Sequence, residues 1–172
     1  IINPLVRENT YNVEKNFENK KKFNILVIGG SQGASFFDKD LKNSIINISK
    51  KKTIKIIHQT SEKNISSLKE FYSDNNIENT IFSYKKNLVE IIKEADLCIT
   101  RAGASTLAEL SVLNIPFIAV PLPTSKDNHQ LENANYYKKK DCCWIIEQSS
   151  FKEKIEKTLN DIIEKKKDYL KK

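Results

Sequence analysis

Short runs of consecutive apolar residues recur along the chain, separated by longer segments of mixed character. The six runs occupy 25–29, 54–58, 80–84, 96–100, 116–120 and 142–146. Most of them lack the polar–apolar alternation of a half-exposed strand, which is typical of parallel strands that helices cover on both faces. The pattern therefore predicts a six-stranded, mostly parallel sheet.

Between these runs, apolar residues recur at intervals of three and four, the spacing of one helix face. The stripes are Phe36, Phe37, Leu41 and Ile45; Leu88, Ile91 and Ile92; and Leu107, Leu110 and Leu113. Strand and helix thus alternate about six times, which predicts a doubly wound, Rossmann-like α/β domain. Right-handed crossovers place the carboxyl ends of all its strands at one edge.

The two ends of the chain depart from this alternation. Residues 1–22 are rich in Asn, Glu and Lys and are interrupted by Pro4, which predicts an interdomain linker. Residues 23–150 carry the alternating pattern and form the predicted Rossmann-like domain. Residues 151–172 predict a C-terminal surface helix that ends in solvated lysines. Its apolar stripe consists of Ile155, Leu159, Ile162 and Ile163.

Composition narrows the class of protein without choosing a function. The 172 residues fit one domain, and 29 Lys plus Arg against 22 Asp plus Glu give a net charge of +7. That charge allows phosphate-bearing partners, whether nucleotide, nucleic acid or anionic lipid headgroup. No apolar run reaches the length of a membrane span and the start does not resemble a signal peptide, so we expect neither a transmembrane nor a secreted protein.

Cysteine and histidine usage predicts no disulfide framework, metal site or cofactor. The three cysteines are Cys98, Cys142 and Cys143, which match neither disulfide nor zinc spacing and indicate a reducing cytosol. His58 and His129 are the two histidines, and neither has a second ligand at helical spacing. We expect His58, at the end of the second strand, to be structural.

The scarce glycines mark two predicted strand ends. Three of the four lie in GGSQGAS (29–35) after the first strand, and Gly103 follows the fourth. Ligands of open α/β sheets bind at the carboxyl edge, near a reversal of strand order, so we expect the binding site there. The segment 29–35 lets backbone amides and a helix N-terminus approach an anion, although a tight turn without a ligand would have the same composition.

Two further segments follow strand ends and allow two interpretations each. In 100–110, Thr106 and Glu109 have the spacing of a capping box, while Glu109 could instead accept hydrogen bonds from a vicinal diol. Arg101 could meet a phosphate or hold its loop through backbone carbonyls, and we favour the second. In 120–135, Asp127 or Asn128 could cap a helix beginning near His129, and the polar side chains His129, Gln130 and Asn133 could face the same edge or the solvent.

Six segments together resemble, in their order, the MurG family of peptidoglycan glycosyltransferases. They are NPLVR (3–7), ILVIGGSQGAS (25–35), HQ (58–59), ADLCITRAGASTLAEL (95–110), IPFIAVPLP (115–123) and DNHQLENA (127–134). This family transfers GlcNAc from UDP-GlcNAc to lipid I, giving lipid II, and has a two-domain GT-B architecture. The resemblance covers nearly the whole chain and corresponds to the carboxyl-terminal, donor-binding half. The acceptor surface and the general base belong to the other half.

The resemblance implies a UDP-GlcNAc site and assigns its residues. Arg7 and Ser31 would contact the diphosphate, and the main chain of Lys85 would hold the uracil. Gln130, with His129, would contact the GlcNAc hydroxyls. The matching donor-binding stretch is Ala104, Ser105, Thr106, Leu107, Ala108 and Glu109, in which the Ser105 and Thr106 amides approach phosphate and Glu109 binds the ribose hydroxyls.

This sequence departs from the family pattern at three of the motif positions. Lys85 stands where the family tends to have an aliphatic residue. Ser61 and Asn114 stand where it usually has glycine. Asn is the residue that best replaces glycine in a left-handed conformation, so we expect the Asn114 exchange to cost little.

The implied reaction is attack of the acceptor sugar's 4-hydroxyl on the anomeric carbon of GlcNAc with inversion, while UDP departs with new negative charge. Helix N-termini and loop amides would stabilise that charge. The chain contains no convincing catalytic base, and only His58 is worth testing as one. We therefore expect the chain alone to bind UDP-GlcNAc weakly and to turn over negligibly. The family's role in cell-wall synthesis further implies a peripheral location at the cytoplasmic face of the bacterial inner membrane.

Three alternatives remain open at this point. A free-standing donor subunit of a split, two-chain lipid-linked GlcNAc transferase would keep the chemistry. A nucleic-acid-binding module would use the positive charge, but the chain lacks the interleaved aromatics for base stacking, and we expect no nucleic-acid partner. A sugar-nucleotide epimerase half would need carboxylate and histidine groups beside the sugar, for which only Glu109 and His129 are available.

Overall fold

The computed structural model describes residues 22–165, with residues 31–34 described by their backbone alone. Its strands are β1 (Phe23–Ile28), β2 (Ile54–Gln59), β3 (Glu78–Phe82), β4 (Leu97–Thr100), β5 (Phe117–Ala119) and β6 (Cys143–Ile145). Its helices are α1 (Gly30–Asp40), α2 (Lys42–Ser49), α3 (Ile65–Asp74), α4 (Leu88–Glu94), α5 (Ala104–Val112), α6 (His129–Lys138) and α7 (Phe151–Glu164). Single turns of 3-10 helix occupy Glu62–Asn64, Lys126–Asn128 and Gln148–Ser150.

The strands form one sheet in the order β3-β2-β1-β4-β5-β6, and every neighbouring pair is parallel. The central strand β1 pairs on both sides, so that Ile25 lies opposite Ile56 of β2 and Leu97 of β4. The chain first builds outward from β1 to β3 and then crosses back to β4. The order of the strands therefore reverses between β1 and β4, and the predicted doubly wound, six-stranded parallel sheet is confirmed.

Successive residues of each strand face two separate cores, because strand side chains alternate between the faces of a sheet. Ile25 and Val27 pack into the core that α1, α2, α3 and α7 cover, whereas Leu26 and Ile28 pack into the core under α4, α5 and α6. All four β1 side chains are at most 5% exposed. Burial on both faces explains the unbroken apolar runs in the sequence.

Several element boundaries differ from the predicted ones. The third strand is Glu78–Phe82 rather than 80–84. Because β3 is an edge strand in which exposed and half-buried residues alternate before the buried Phe82, its apolar run is a poor guide to its ends. The stripe that begins at Phe36 belongs to two helices, which meet at Leu41. Helix α3 (Ile65–Asp74) was not predicted by any of the stripes.

The proposed division of the chain remains a prediction. Residues 1–21 and 166–172 lie outside the described residues, so most of the predicted linker and the final lysines do too. Helix α7 packs its apolar face, Ile155, Leu159 and Ile162, onto the core. Within residues 22–165, no helix has the length and apolar character needed to cross a bilayer.

The two positions where glycine is usual in the resembled family have different conformations. Asn114, in the turn between α5 and β5, has φ +52°, and asparagine tolerates this left-handed region better than most residues. Ser61 has φ −71° and ψ 150°, an extended conformation that any residue adopts. Asn114 thus lies where asparagine or glycine is favoured, whereas the Ser61 position does not need a glycine; the small cost expected at Asn114 stays a prediction.

Candidate functional site

The two glycine-bearing segments meet at the point where the strand order reverses. Gly29 and Gly30 follow β1, Gly103 follows shortly after β4, and these two strands are neighbours in the sheet. The backbone amide of Arg101 donates to the Ile28 carbonyl at 3.3 Å, which extends the pairing to the loop itself. The expectation that the glycine-bearing segments meet at one edge of the sheet, near the reversal of strand order, is confirmed.

Gly30 begins α1 in a conformation that favours glycine. Its φ is +62°, while a Cβ placed on it would touch no other atom, so the requirement lies in the backbone rather than in the space around it. This turn joins β1 directly to α1 and directs the first amides of the helix to the sheet edge. The backbone of Ser31 lies in the first turn of α1, and its side chain lies outside the described residues, as does all of Arg7.

The N-terminus of α5 supplies a second set of backbone donors. Gly103 is its N-cap, with φ −70° and ψ 131°, and the helix begins at Ala104. The amides of Ala104, Ser105 and Thr106 lie in the first turn, where no helical carbonyl can accept from them. Ala104 and Ser105 are exposed and Thr106 is half-buried. These amides can therefore receive an anion from solvent.

The capping-box interpretation of Thr106 and Glu109 is wrong. Because α5 begins at Ala104, Thr106 lies within the first turn and Glu109 lies in the second, so neither occupies its capping position. Glu109 is 2% exposed, and the neighbouring Leu107 and Ala108 are also buried. Of the predicted donor-binding stretch, residues 104–106 are thus the accessible part.

Helix α6 is attached to two of the edge loops by side-chain amides. Gln130 Oε1 accepts a hydrogen bond of 2.8 Å from the Leu122 amide, which leaves the Gln130 NH₂ group as the donor for a ligand. Asn133 Nδ2 donates to the Ala102 carbonyl at 3.1 Å, so this residue holds the loop between β4 and α5. The sequence could not distinguish this role of Asn133 from exposure to solvent.

The predicted side-chain cap of α6 is absent. Asn128 occupies the N-cap position, but neither it nor Asp127 makes a capping hydrogen bond. Both residues have positive φ, +49° for Asp127 and +54° for Asn128, and in that conformation they form a sharp turn into the helix. His129, the first residue of α6, is exposed, and its Nδ1 lies 2.5 Å from the Lys126 carbonyl oxygen.

Arg101 holds its loop, as favoured from the sequence. Its guanidinium is buried, with the residue 7% exposed, and Nη1 donates to the Val120 carbonyl at 3.1 Å. Burial lowers the pKa of Arg101. Lys85, by contrast, is exposed in the loop after β3, beside Tyr84, which is 77% exposed. The third apolar run of the sequence included Tyr84, whereas the structure places this residue two positions after the end of β3.

His58 is structural, as expected, and belongs to a buried polar cluster with Asp38, Thr60, Asn64 and Tyr72. Asp38 Oδ2 accepts hydrogen bonds from Thr60 Oγ1 at 2.6 Å and Asn64 Nδ2 at 2.9 Å. His58 Nε2 lies 3.3 Å from Asp38 Oδ1, an electrostatic contact rather than an aligned hydrogen bond, and Nδ1 lies 3.2 Å from the Tyr72 hydroxyl. With no exposed atom, His58 cannot reach an incoming hydroxyl, so it is no candidate for a catalytic base.

Burial and neighbouring donors determine the protonation of His58, Tyr72 and Asp38 in this cluster. Burial lowers the pKa of His58 and raises that of the Tyr72 phenol, so a neutral ring meets a protonated hydroxyl. Burial alone would raise the pKa of Asp38, but the donors His58, Thr60 and Asn64 outweigh it and the pKa is lowered. The Tyr72 hydroxyl therefore donates to Nδ1, and the ring proton lies on Nε2, facing the Asp38 carboxylate.

No group of three or more metal-ligating side chains is gathered anywhere within residues 22–165. The groups that the edge offers to a ligand are backbone amides at two helix N-termini, the Gln130 NH₂ group and exposed side chains of the loops. Amides at helix N-termini favour phosphate, and an amide NH₂ group suits a hydroxyl. Groups of this kind are suited to a phosphorylated, hydroxyl-bearing ligand.

Fold and site together define a Rossmann-like domain whose switch point is suited to a nucleotide or sugar phosphate. The chain belongs to glycosyltransferase family 28, because residues 24–172 match the model of that family's C-terminal domain.

Comparison with individual proteins agrees with this family. The chain is 45% identical, over 99% of its length, to the UDP-N-acetylglucosamine–N-acetylmuramyl-(pentapeptide) pyrophosphoryl-undecaprenol N-acetylglucosamine transferase of Pelagibacter ubique. It spans about half of that relative, 48% of its length. The crystal structure of Acinetobacter baumannii MurG matches with a TM-score of 0.75 and 26% identity, over 93% of this chain and 45% of that one.

A more distant match shows the fold alone. The Streptomyces glycosyltransferase SsfS6, complexed with thymidine diphosphate, has a TM-score of 0.54 and 12% identity over 75% of this chain and 31% of that one. The comparisons do not support the alternative of a split, two-chain transferase, since the similar sequences carry the name of the peptidoglycan transferase.

Proposed function

We propose that this chain is the donor-binding half of an inverting glycosyltransferase that transfers GlcNAc from UDP-GlcNAc to lipid I, making lipid II for the bacterial cell wall. The observation that carries the proposal is the meeting of the β1 and β4 loops at the switch point, in a chain 45% identical to a transferase of that name. The amides at the starts of α1 and α5 form the complementary surface for a diphosphate.

The proposed roles follow from the accessible groups. The first-turn amides of α1, including that of Ser31, and those of Ala104, Ser105 and Thr106 in α5 receive the diphosphate. The Gln130 NH₂ group donates to a GlcNAc hydroxyl, while its oxygen keeps the loop after β5 in place. Arg7 of the linker completes the diphosphate site.

The structure bears on the proposed nucleoside contacts through the exposure of Lys85 and the burial of Glu109. The main chain of exposed Lys85 holds the uracil, at the carboxyl end of β3. Glu109 binds the ribose hydroxyls, and because it is 2% exposed, a ribose can reach it only after the groups that cover it move. Leu107 and Ala108, both buried, shape the site through the position of α5 rather than through exposed side chains.

In the proposed reaction, the 4-hydroxyl of the acceptor sugar attacks the anomeric carbon and UDP departs. The negative charge that develops on the diphosphate is stabilised by amides that are already oriented toward it, so no reorganisation is needed during the step. The acceptor lipid and the general base belong to the other half of the enzyme. The proposed location is peripheral, at the cytoplasmic face of the inner membrane.

A proline substitution tests the amide site directly. Ala104 is the first residue of α5 and follows the extended Gly103, so Ala104→Pro fits the backbone and removes one amide donor. We expect the affinity for UDP-GlcNAc, measured by isothermal titration, to fall about tenfold, the effect of one lost hydrogen bond to a charged group. Ala104→Ser keeps the amide and is the matched control, with an expected affinity close to that of the parent chain.

Two further measurements test the donor and the reaction. Glu109→Gln should weaken binding of UDP-GlcNAc, whereas Glu90→Gln, at an exposed position of α4, should not. A radiolabel transfer assay to lipid I should show negligible turnover by the chain alone and turnover when it is joined to the amino-terminal half of a relative. Absence of any titration heat or melting shift with millimolar UDP-GlcNAc would refute the proposed donor.

A further inference from the structure

Arg101 lies at the junction of the three loops that form the candidate site, each taken together with the start of the helix that it enters: 29–35, 101–106 and 120–130. Its backbone amide donates to Ile28, the residue directly before the loop 29–35. Its guanidinium carbon lies 4.6 Å from the ring centre of Phe36, directly after that loop, and 5.2 Å from that of Phe37. Its Nη1 donates to the carbonyl of Val120, where the loop toward α6 begins. Arg101 itself begins the loop that leads to α5.

These contacts use properties that only an arginine has. The guanidinium is planar, so it can stack on an aromatic ring while its edge donates in another direction. A lysine ammonium would retain the charge but could not stack as a plane on Phe36 and also reach Val120 in the same geometry. Arg101 is therefore suited to fix the loops relative to one another.

Stability alone is a poor explanation for this residue. Among the described residues, no carboxylate lies within ion-pair distance of Arg101, and its Nε has no hydrogen-bond partner. A buried cation without a counter-ion is unfavourable, and an apolar residue at such a position is often as stable or more so. The contacts therefore indicate that Arg101 fixes a geometry rather than adds stability.

We propose that Arg101 is a positioning residue that holds the loops 29–35, 101–106 and 120–130 in the arrangement that receives the donor diphosphate. This inference rests on the proposed function for the identity of the ligand. The joining of the three loops can be tested without any ligand.

The test compares Arg101→Lys and Arg101→Met with Phe151→Leu. Phe151, on α7, packs against the same two rings, with centroids 5.0 Å from Phe36 and 5.9 Å from Phe37, and its truncation therefore gives a matched loss of packing around them. Hydrogen exchange of the amides in the three loops and isothermal titration with UDP-GlcNAc are measured for each folded variant.

We expect both Arg101 variants to raise amide exchange in all three loops by about tenfold and to weaken donor binding about tenfold, the effect of one lost hydrogen bond from a charged group. Phe151→Leu should raise exchange in α7 and in the part of α1 from Phe36 onward, leave 101–106 and 120–130 protected as in the parent chain, and leave donor affinity near that of the parent chain. Parent-like exchange in Arg101→Met, or full retention of loop protection in Arg101→Lys, would overturn the inference. A parent chain that binds no UDP-GlcNAc would overturn the proposed function, while the exchange result would still decide the role of Arg101.

Discussion

Removal of the Asp38 carboxylate should destabilise the domain strongly, although Asp38 has no part in the proposed reaction. Asp38→Ala deletes the acceptor for Thr60 and Asn64, leaves the Thr60 hydroxyl buried at 3% residue exposure, and removes the carboxylate that faces the fully buried His58. A hydrogen bond to a charged acceptor contributes about 1.5–3 kcal/mol, and a buried donor left unpaired costs about 1–3 kcal/mol.

The surroundings of Asp38 reduce the expected loss of stability to the lower end of what these lost hydrogen bonds and the unpaired donor would cost together. Asp38 borders a cleft of about 360 Å³, which also has Lys39 and Lys42 in its wall, so water can replace part of what the carboxylate supplied. Removing a charge that is costly to bury offsets a further part. We therefore expect Asp38→Ala to lower the free energy of unfolding by about 3 kcal/mol.

Urea unfolding followed by circular dichroism measures this loss. An equal slope of the unfolding free energy against urea concentration in the parent chain and the variant confirms that both expose the same surface on unfolding. Asp40→Ala is the matched control, because Asp40 lies on the same helix but pairs with Lys152, which is 69% exposed. Only the Lys152 end of this ion pair is exposed, the Asp40 side chain being 17% exposed, and a single pair that is partly in water should contribute about 1 kcal/mol or less. If Asp38→Ala also lost less than about 1 kcal/mol, the buried cluster would not stabilise the fold as reasoned here.

Three further predictions concern pH and the backbone. Burial lowers the pKa of His58 in the folded chain, so as pH falls below about 6.5 the unfolded chain takes up the imidazole proton first and is favoured. The free energy of unfolding at pH 5.5 should therefore be up to about 1.4 kcal/mol lower than at pH 7.5. Urea unfolding of His58→Gln should lack this pH-dependent loss. Gly30→Ala places a side chain at φ +62° and should cost about 1–2 kcal/mol in the same assay; an unchanged midpoint would contradict the assigned turn. Asn114→Ala, at φ +52°, should lower stability by about 1 kcal/mol while Asn114→Gly changes it by less than about 0.5 kcal/mol, and equal effects of the two would refute the argument.

The architecture could be predicted from the sequence because the strands are buried on both faces. In β1, Ile25, Leu26, Val27 and Ile28 are all in the core, and such an unbroken run stands out from the polar segments around it. The edge strand β3 has one exposed side, so its run misplaced the strand by two residues. Helix α3 buries Leu68 and Tyr72 alone, too sparse a stripe to recognise.

The candidate site could be predicted in its location but not in its details. Glycine placement indicated the loops after β1 and β4, because tight turns and close backbone approach need residues without side chains. The start of α5 was misplaced by three residues, because Gly103 occupies the N-cap position that the capping-box interpretation gave to Thr106, and glycine has no side chain to signal it. The contact between Asn133 and Ala102 joins residues 31 positions apart, and only the folded chain brings them together.

The position of β1 in the middle of the sheet has a consequence for how the chain is made. When the first three strands have left the ribosome, one side of β1 still presents unpaired amides and carbonyls, since its partner β4 begins at Leu97 and emerges later. Such an open strand edge is a template for pairing with another nascent chain. Slow translation between β3 and β4 would prolong this exposure, whereas rapid synthesis of α4 and β4 would close the edge and limit aggregation.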